Sequence, residues 1–467
     1  MSFVILGHCC KDGSCIQVCP QNCIRPAPGE PNFASVEHLY IDPDACIDCS
    51  ACVDACPAQA IKPEPALSEN QQVYAQQGRA YFDLLATSRS PGAGSPSLPI
   101  ALSPRSIRVA IVGAGSAAMY TVRELLQRST SVRIAVFEQS SHLGGLLRTA
   151  VSVDHQEIRQ MTRLFDVPFA DPRVQTHFDT RVGVEVTIES LLSQYDAVVL
   201  AYGATKPREI AAPATADVHQ AIDVLAKTHA AQTDRIAPIR LLAGPSTLIV
   251  GGGNVALDVA TSIAKHRILT RSGQPISRVV IVARSPASRP SFTFSALHEL
   301  SQLDVDIAVD TGENRLDGLQ DPLGRLLVAR TRENHSVTPS AQLSIELLFG
   351  REVTALTTAG DRTRVHTENV ATGGRARLRT TAGEALTADS VIMASGFTCE
   401  PLPGVAVRSD GAVHNQNGRV VSPTTGAPIE GLYTVGWAKR GGRGGVGENR
   451  RCAAQTVDMI VADNMPG

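Results

Sequence analysis

The amino-acid sequence predicts a small α+β domain followed by a large α/β region that contains two Rossmann-like dinucleotide-binding domains. Three observations carry this prediction. Nine of the 11 cysteines lie within the first 56 residues. Two glycine-rich turns, at Gly113 and Gly251, each follow an apolar strand pattern and precede a helical one. The length of 467 residues exceeds what one hydrophobic core supports, so we expect about two to four domains.

The composition excludes some classes of protein. A net charge of -2 at pH 7 argues against a strongly basic nucleic-acid binder, and we expect no nucleic-acid partner. No apolar run approaches the length of a membrane-spanning helix, so we expect no membrane insertion. The start, MSFVILGHCC, has no basic leader and too short an apolar stretch for a signal peptide, which predicts a cytoplasmic protein. In a reducing compartment, clustered cysteines indicate metal or redox chemistry.

The cysteine block predicts two interleaved iron–sulfur clusters. The stretch CIDCSACVDACP places three cysteines at two-residue gaps, and its fourth cysteine, Cys56, is expected to reach a neighbouring cluster, as in two-cluster ferredoxins. A second half-motif, CCKDGSCIQVCP, supplies Cys19 to complete the cluster of the first run. The predicted ligand sets are Cys9, Cys15 and Cys56 for one cluster, and Cys19, Cys46, Cys49 and Cys52 for the other.

The first half-motif departs from the second because Asp12 stands where a middle cysteine is expected. Three thiolates suit a [3Fe–4S] cluster, and Asp12 could instead be an oxygen ligand to a fourth iron of a [4Fe–4S] cluster. Cys10 is an alternative to Cys9, and Cys23 is expected to be a spare. Zinc also binds four thiolates, but two interleaved runs that each end in Cys-Pro favour iron–sulfur clusters. Residues 1–65 resemble bacterial seven-iron or eight-iron ferredoxins.

A connecting segment is expected at residues 66–105. The stretch SENQQVYAQQGRAYFDLLA predicts a short helix with Ser68 as its N-cap and Gln71 in the capping-box position. The Pro-, Gly- and Ser-rich stretch that follows is typical of a flexible tether.

The first dinucleotide motif lies in the stretch IRVAIVGAGSAAMYTVRELL. Gly113, Gly115 and Ala118 form the pattern G-x-G-x-x-A between a strand and a helix, which lets the backbone approach a pyrophosphate at the helix N-terminus. The next strand ends in Glu138, the acid that such sites use to bind ribose hydroxyls. The alternative is a βαβ unit whose glycines only make a tight turn. We interpret this motif as an FAD site.

The second motif lies in the stretch STLIVGGGNVALDVATSIAKH, with Gly251 and Gly253 in the turn. Its second strand ends in Arg284 rather than in an acid, which favours the 2′-phosphate of NADP over the ribose of NAD. Asn254 and Val255 belong to the same predicted nucleotide-binding turn.

Two further strands end in glycine turns, at Gly203 and Gly396, and we expect them to mark the crossings between the FAD and NADP domains. The FAD domain is therefore predicted to be split by the inserted NADP domain. The predicted division is residues 106–204 for the first part of the FAD domain, 205–384 for the NADP domain and 385–467 for the second part of the FAD domain.

Residues 106–467 resemble the adrenodoxin-reductase type of ferredoxin–NADP reductase, in particular the mycobacterial kind that carries an N-terminal ferredoxin domain. The motifs that carry this resemblance are GAGSAAMY, VDHQEIR, VGGGNVALDVA and the tail VGWAKRGGRGGVGENRRCAAQTV. The resemblance implies that the tail covers the flavin ring, with Trp437, Gly444 and Gly447 in contact with FAD.

The resemblance also implies an active-site ionic couple, which maps to His155 and Glu299. The chain departs from the family pattern at Ala283, where a second arginine would precede Arg284, and at Ala296 and Gly442.

The stretch HLGGLLR is similar to the glutamate synthase small-subunit lineage, a related group of flavoproteins, and places Gly145 and Leu146 near the flavin.

The resemblance implies that electrons pass from NADPH to FAD, then to the iron–sulfur clusters and to an external one-electron acceptor such as a ferredoxin or a cytochrome P450. Two alternatives stay open. One is an electron-input subunit like the glutamate synthase small subunit, and the other is a non-enzymatic redox sensor whose Asp12 cluster gains or loses iron. The nucleotide domain has no C-x-x-C, which disfavours a thioredoxin-reductase disulfide shuttle.

Overall fold

The computed structural model describes residues 2–30, 32–86, 106–208, 216–233, 238–311, 321–331, 342–370, 379–382 and 385–464. The tether predicted at the end of 66–105 lies outside the described residues from residue 87 on. The chain forms two compact bodies. The first comprises Met1–Val151, His155–Lys206 and Phe397–Gly467, and the second comprises Ser152–Asp154 and Pro207–Gly396.

The amino-terminal part of the first body contains two half-motifs, each with a short helix that ends at a cysteine followed by proline. Strand β1 pairs with β4 and β2 pairs with β3, both antiparallel, around one apolar core. The elements are β1 (Phe3–Ile5), α1 (Ser14–Val18), β2 (Ile24–Arg25), β3 (Tyr40–Ile41), α2 (Ala51–Ala55), β4 (Ile61–Pro63) and α3 (Gln72–Ala86).

The predicted connecting helix is confirmed as α3, which follows two short 3-10 helices, Glu64–Ala66 and Glu69–Gln71. The backbone N–H of Ser68 donates to Gln71 Oε1 at 3.2 Å, which is one half of the expected capping box.

The next part of the first body is a parallel βαβ arrangement. Strands β5 and β8 are almost purely apolar and buried, as expected for parallel strands covered on both faces. The elements are β5 (Arg108–Val112), α4 (Ser116–Arg128), β6 (Arg133–Phe137), α5 (Leu146–Thr149), α6 (Gln156–Gln160), a 3-10 helix (Met161–Phe165), α7 (Asp166–Phe169), β7 (Val174–His177), α8 (Ile188–Gln194), β8 (Ala197–Leu200) and β9 (Lys206–Pro207).

The second body is built on a six-stranded parallel sheet in the order β10-β21-β12-β14-β16-β15, with an antiparallel sheet of β17 to β20. Its elements are β10 (Val218–Gln220), α9 (Ala221–Thr233), β11 (Ile239–Leu242), β12 (Ser246–Val250), α10 (Asn254–Ala264), β13 (Ile268–Thr270), β14 (Arg278–Val282), α11 (Phe294–Ser301), β15 (Val305–Asp310), α12 (Pro322–Val328), β16 (Leu343–Leu348), β17 (Arg351–Ala359), β18 (Arg362–Val370), β19 (Arg379–Ala382), β20 (Leu386–Ala388) and β21 (Ser390–Met393).

The second crossing between the bodies differs from its predicted position. Residue 385 was predicted to start the second FAD segment, but β21 pairs with both β10 and β12 in the second body, and the first body resumes at Phe397. The physical reason is that an apolar strand of four residues fits either of two similar parallel sheets. Only its pairing decides to which sheet it belongs.

The carboxy-terminal segment completes the first sheet, as the split-domain fold predicted. Strand β25 pairs parallel with β8, which gives the seven-stranded order β23-β24-β25-β8-β5-β6-β7. The elements are β22 (Phe397–Thr398), β23 (Asn415–Gln416), β24 (Arg419–Val421), β25 (Pro428–Thr434), α13 (Trp437–Arg440) and α14 (Glu448–Asn464). Among the described residues, no helix combines the length and the apolar character that crossing a membrane requires.

Candidate functional site

The four cysteines predicted for one cluster surround a single small cavity in the amino-terminal part of the first body. Its volume is about 20 Å³, and five cysteines line it: Cys23 and the four predicted ligands, called here the second thiol set, which are Cys19, Cys46, Cys49 and Cys52. Asp48 and Ser50 have positive φ values of 59°, which curl the loop around these sulfurs. Four soft donors around one cavity suit an iron–sulfur cluster.

The three cysteines predicted for the other cluster, called here the first thiol set, are Cys9, Cys15 and Cys56. The pKa of the Cys9 thiol is raised to about 11, chiefly by burial and to a smaller extent by the neighbouring Cys56 and Asp12. Burial also raises the pKa of the Cys15 thiol, with Cys9 and Cys56 as smaller causes. Cys15 lies in the apolar core of the domain, and Cys9 and Cys56 pack against that core. Backbone N–H groups of Lys11 and Ala60 donate to Cys9 Sγ and Cys56 Sγ at 3.4 and 3.3 Å.

Cys19 lines one cavity with Cys46, Cys49 and Cys52, which is compatible with the predicted crossing of the two sets. The assignment of Cys56 to the first set and the ligand roles of both sets stay predictions. Cys23, expected to be a spare, is buried with its sulfur 3.4 Å from Cys19 Sγ.

Asp12 lies beside the first thiol set but has other partners. Its Oδ1 accepts from the backbone N–H of Ser14 at 3.1 Å, and its Oδ2 accepts from Ser14 Oγ at 2.5 Å. Arg450 of the carboxy-terminal tail lies 3.7 Å from the same carboxylate. Asp12 thus orients the start of α1 and pairs with a cation.

The predicted FAD turn has the geometry that a dinucleotide needs. Gly113 has φ +96°, and an added Cβ would lie 2.8 Å from the Cα of Tyr202, so the strand ends meet closely. An added Cβ on Gly115, in contrast, would meet nothing within 4 Å, which leaves space at the N-terminus of α4. Buried Glu138 accepts from the backbone N–H of Ala114 at 2.7 Å, so its carboxylate is held at the turn.

A cavity of about 150 Å³ adjoins this turn, lined by Gly113, Glu138, Thr180, Tyr202 and Thr205 among others. Its position between the glycine turn and the acid fits the nucleoside end of a dinucleotide. The other predicted residues of the turn lie close by. Ala118 is buried inside α4, and a Cβ added to Gly145, which precedes Leu146 at the start of α5, would lie 3.2 Å from Gly115 Cα.

The tail predicted to cover the flavin lies against the FAD turn. Trp437 Nε1 donates to the carbonyl oxygen of Gly444 at 2.8 Å, which closes the tail into a loop. Asn449 Nδ2 donates to Oγ of Ser116, the first residue of α4, at 2.9 Å. No role for Ser116 is predicted from the sequence, because a serine at the start of a helix is common.

The predicted nucleotide turn of the second body repeats the same pattern. Gly251 has φ +123°, and an added Cβ would lie 2.6 Å from the carbonyl carbon of Ala394. An added Cβ on Gly253 would meet nothing within 4 Å. Gly252 packs so closely on Ala283 that an added Cβ would lie 2.5 Å from the Ala283 Cβ. The space at Gly253 therefore lies at the start of α10, where a pyrophosphate would bind.

The remaining predicted residues of this turn stabilise it. Asn254 Oδ1 accepts from the backbone N–H of Thr293, the N-cap of α11, at 2.9 Å. Val255 packs against the core of the second body. Glu299 lies in α11 of the second body and His155 directly precedes α6 in the first, so their ionic couple remains a prediction.

Arg284 has a partner that the sequence did not indicate. Its Nη1 lies 3.4 Å from Glu352 Oε1, and 56% and 31% of the two side chains are exposed. Glu352 lies on β17, far along the chain, and no motif marks it. An acid next to the arginine that would bind the 2′-phosphate competes with that phosphate for the same cation.

We predict that Gly115→Ala keeps the fold but loses FAD, because the new Cβ enters space that the protein leaves open and the cofactor would fill. Gly113→Ala should instead lose FAD and also lower the melting temperature, because its Cβ collides with backbone at positive φ. FAD content and thermal unfolding of the purified variants measure both effects. Gly253→Ala is the matched variant in the second body and should retain FAD. Full FAD content in Gly115→Ala would contradict the assignment.

We predict that Arg284→Ala raises the KM for NADPH by about tenfold and changes the KM for NADH little, since only NADPH offers a 2′-phosphate. Glu352→Gln should lower the KM for NADPH by about two- to threefold, a small effect because the pair is exposed. Steady-state kinetics with both nucleotides test this. Arg271→Ala, which removes an equal charge paired with Asp217, is the control. Equal changes for NADPH and NADH would remove Arg284 from the phosphate site.

Comparisons with known proteins identify the two kinds of domain. The pyridine nucleotide-disulphide oxidoreductase family matches residues 107–334, and the 4Fe-4S binding domain family matches residues 39–62. A probable ferredoxin/ferredoxin–NADP reductase of Mycobacterium bovis is 33% identical over 494 residues, which cover 99% of this chain and 84% of that protein.

Two further similarities concern the reductase part. The NADPH-ferredoxin reductase FprA of Mycobacterium tuberculosis is 30% identical over 396 residues, which cover 76% of this chain and 84% of that protein. The solved structure of Mycobacterium tuberculosis FprA in complex with NADPH matches with a TM-score of 0.64 and 27% identity, over 77% of this chain and 85% of that one. The chain therefore belongs to the family of ferredoxin–NADP reductases that carry a fused ferredoxin domain.

Proposed function

We propose that this NADPH-dependent reductase passes electrons from NADPH through FAD to the iron–sulfur clusters of its own ferredoxin domain, and from there to an external one-electron acceptor. The acceptor would be a second ferredoxin or a cytochrome P450. FAD, when bound, supplies the conversion between two-electron and one-electron chemistry. The observation that carries the proposal is that the tail touches both the FAD turn at Ser116 and the loop of the first thiol set at Asp12.

The chain's own residues would bind and orient these partners. Gly113 and Gly115 admit the FAD pyrophosphate to the start of α4, and Glu138 would accept hydrogen bonds from the ribose. Gly253 would do the same for NADPH at α10. Arg284 would bind the 2′-phosphate.

The active-site couple of His155 and Glu299 is part of the same proposal. It would hold or move a proton near the nicotinamide. Its support is the family membership and the match of the stretch VDHQEIR.

For the ferredoxin domain we propose one [4Fe–4S] cluster on the second thiol set and one [3Fe–4S] cluster on the first. Two observations support three irons in the latter. The first set offers three thiolates, and the Asp12 carboxylate is engaged by Ser14 and Arg450. An Asp-ligated [4Fe–4S] cluster is the alternative.

The fused ferredoxin domain makes a diffusing first acceptor unnecessary. A tethered domain is present at an effective concentration of roughly millimolar, far above that of most free acceptor proteins. The two alternative functions make other predictions. An electron-input subunit would copurify with a tight partner, and a redox sensor would gain or lose iron in oxygen with negligible NADPH turnover.

The test of the function is an anaerobic titration with NADPH, with NADH in parallel, followed by absorbance and EPR. We expect bleaching of the flavin band and then the signals of reduced clusters. If dithionite bleaches the flavin but neither nucleotide does, the reductase function fails and the subunit and sensor alternatives take its place.

The cluster assignment makes a separate prediction for Asp12→Cys, which restores the regular C-x-x-C-x-x-C spacing. The EPR signal of an oxidised three-iron cluster should be present in the wild type and absent from this variant, because a fourth thiolate holds a fourth iron. Asp12→Asn is the control and should keep the three-iron signal. If the wild type lacks this signal and the Asp12→Asn variant gains it, Asp12 is instead an iron ligand.

A further inference from the structure

The ferredoxin domain and the carboxy-terminal tail meet along one seam. We call it the docking seam and define it as residues 10–17 on one side and residues 446–450 on the other. Gly447 has no room for a side chain, because an added Cβ would meet the carbonyl oxygen of Cys10 and lie 2.5 Å from the backbone nitrogen of Asp12. The two backbones therefore touch directly, next to the first thiol set.

Arg450 joins the two sides of the docking seam. Its Nη1 donates to the carbonyl oxygen of Asp12 and to Ser14 Oγ, each at 3.0 Å, and its Nη2 donates to Gln17 Oε1 at 2.8 Å. Its side chain is mostly buried, and so is the Asp12 carboxylate. Several hydrogen bonds from one buried cation fix the orientation as well as the position of the ferredoxin loop.

Apolar side chains extend the same contact. Val446 of the tail, together with Ile158, Met161 and Leu164 of the reductase part, packs against the core of the ferredoxin domain. Polar and apolar contacts therefore hold the face of the ferredoxin domain that carries the first thiol set against the carboxy-terminal tail. The same tail also binds Ser116 of the FAD turn.

The second thiol set lies beside solvent. Cys49 is exposed together with its neighbours in residues 47–50. Ile47, which follows Cys46, exposes 56% of its surface, and Val18, which precedes Cys19, exposes 42%. Exposed apolar side chains next to these cysteines suit a face from which electrons leave to another protein.

We propose that the docking seam makes the cluster of the first thiol set the first electron acceptor in the ferredoxin domain, with the cluster of the second thiol set reduced after it. Arg450 is the positioning residue for this transfer. The inference rests on the proposed function and adds the order in which the two clusters are reduced. The electrons balance, because oxidation of NADPH to NADP⁺ releases two electrons and one proton. The proton goes to solvent, and each electron reduces one cluster.

The first experiment compares Arg450→Ala with Arg451→Ala in the holoenzyme. Arg451 is the next residue, carries the same charge and is exposed, so it is the matched control. In Arg450→Ala, NADPH should reduce FAD at the wild-type rate, while cluster reduction should slow roughly tenfold because the cluster loop loses its charged hydrogen bonds. Stopped-flow absorbance and rapid-freeze EPR separate the two steps.

Arg450→Lys should give an intermediate rate, since it keeps the charge beside Asp12 but not the forked geometry. The EPR signal of the oxidised three-iron cluster and the dithionite-reduced signal of the four-iron cluster should be the same in all three variants, which shows that both clusters are present. Equal cluster reduction in Arg450→Ala and Arg451→Ala would overturn the role of the docking seam.

The second experiment tests the order directly. In Cys15→Ala, which lacks the first cluster, the second cluster should stay oxidised with NADPH but be reduced by dithionite. In Cys49→Ala, which lacks the second cluster, NADPH should still reduce the first one at the wild-type rate. The opposite pattern, or equal reduction of the remaining cluster in both variants, overturns the order and leaves the proposed function intact. A wild type whose FAD is not reduced by NADPH would overturn both.

Discussion

The close approach of the carboxy-terminal tail to two other loops is the constraint on which the rest of the structure depends. The tail meets the FAD turn through Asn449 and Ser116, and it meets the ferredoxin loop through Gly447 and Arg450. Backbone can touch backbone at Gly447 because no side chain intervenes. Two predicted cofactor sites from distant parts of the chain are thereby attached to one short segment, and the proposed electron transfer requires such proximity.

Burial and charge act together around the first thiol set. Burial raises the pKa of these thiols, so without a cluster they are stable as neutral groups. A bound cluster needs thiolates, and its assembly must therefore release protons and is linked to folding of the domain. The backbone N–H groups that face Cys9 and Cys56 are placed to stabilise the negative sulfur. Arg450 adds a positive charge on the same side, next to Asp12.

The reductase part contains two similar glycine turns, which differ in the charged residue at the predicted ribose corner. Both glycine turns combine a first glycine pressed against backbone with a later glycine that faces open space. The first copy holds Glu138 at its ribose corner. The second has Arg284, which is partly neutralised by Glu352. We propose that this acid, which comes from the antiparallel sheet, weakens the attraction of Arg284 for a 2′-phosphate.

The two kinds of domain and both glycine turns could be predicted from the sequence, because they depend on short local spacings, and the spacing from Cys46 to Cys56 likewise predicts the crossing of the cysteine sets. The positions of β21, Arg450 and Glu352 were decided only by the tertiary structure. A four-residue apolar strand fits either parallel sheet until its neighbours are known. An arginine or a glutamate on a surface pattern gains a function only from the partner that folding brings to it. Pairings between residues hundreds of positions apart, such as Asp12 with Arg450, leave no local pattern in the chain.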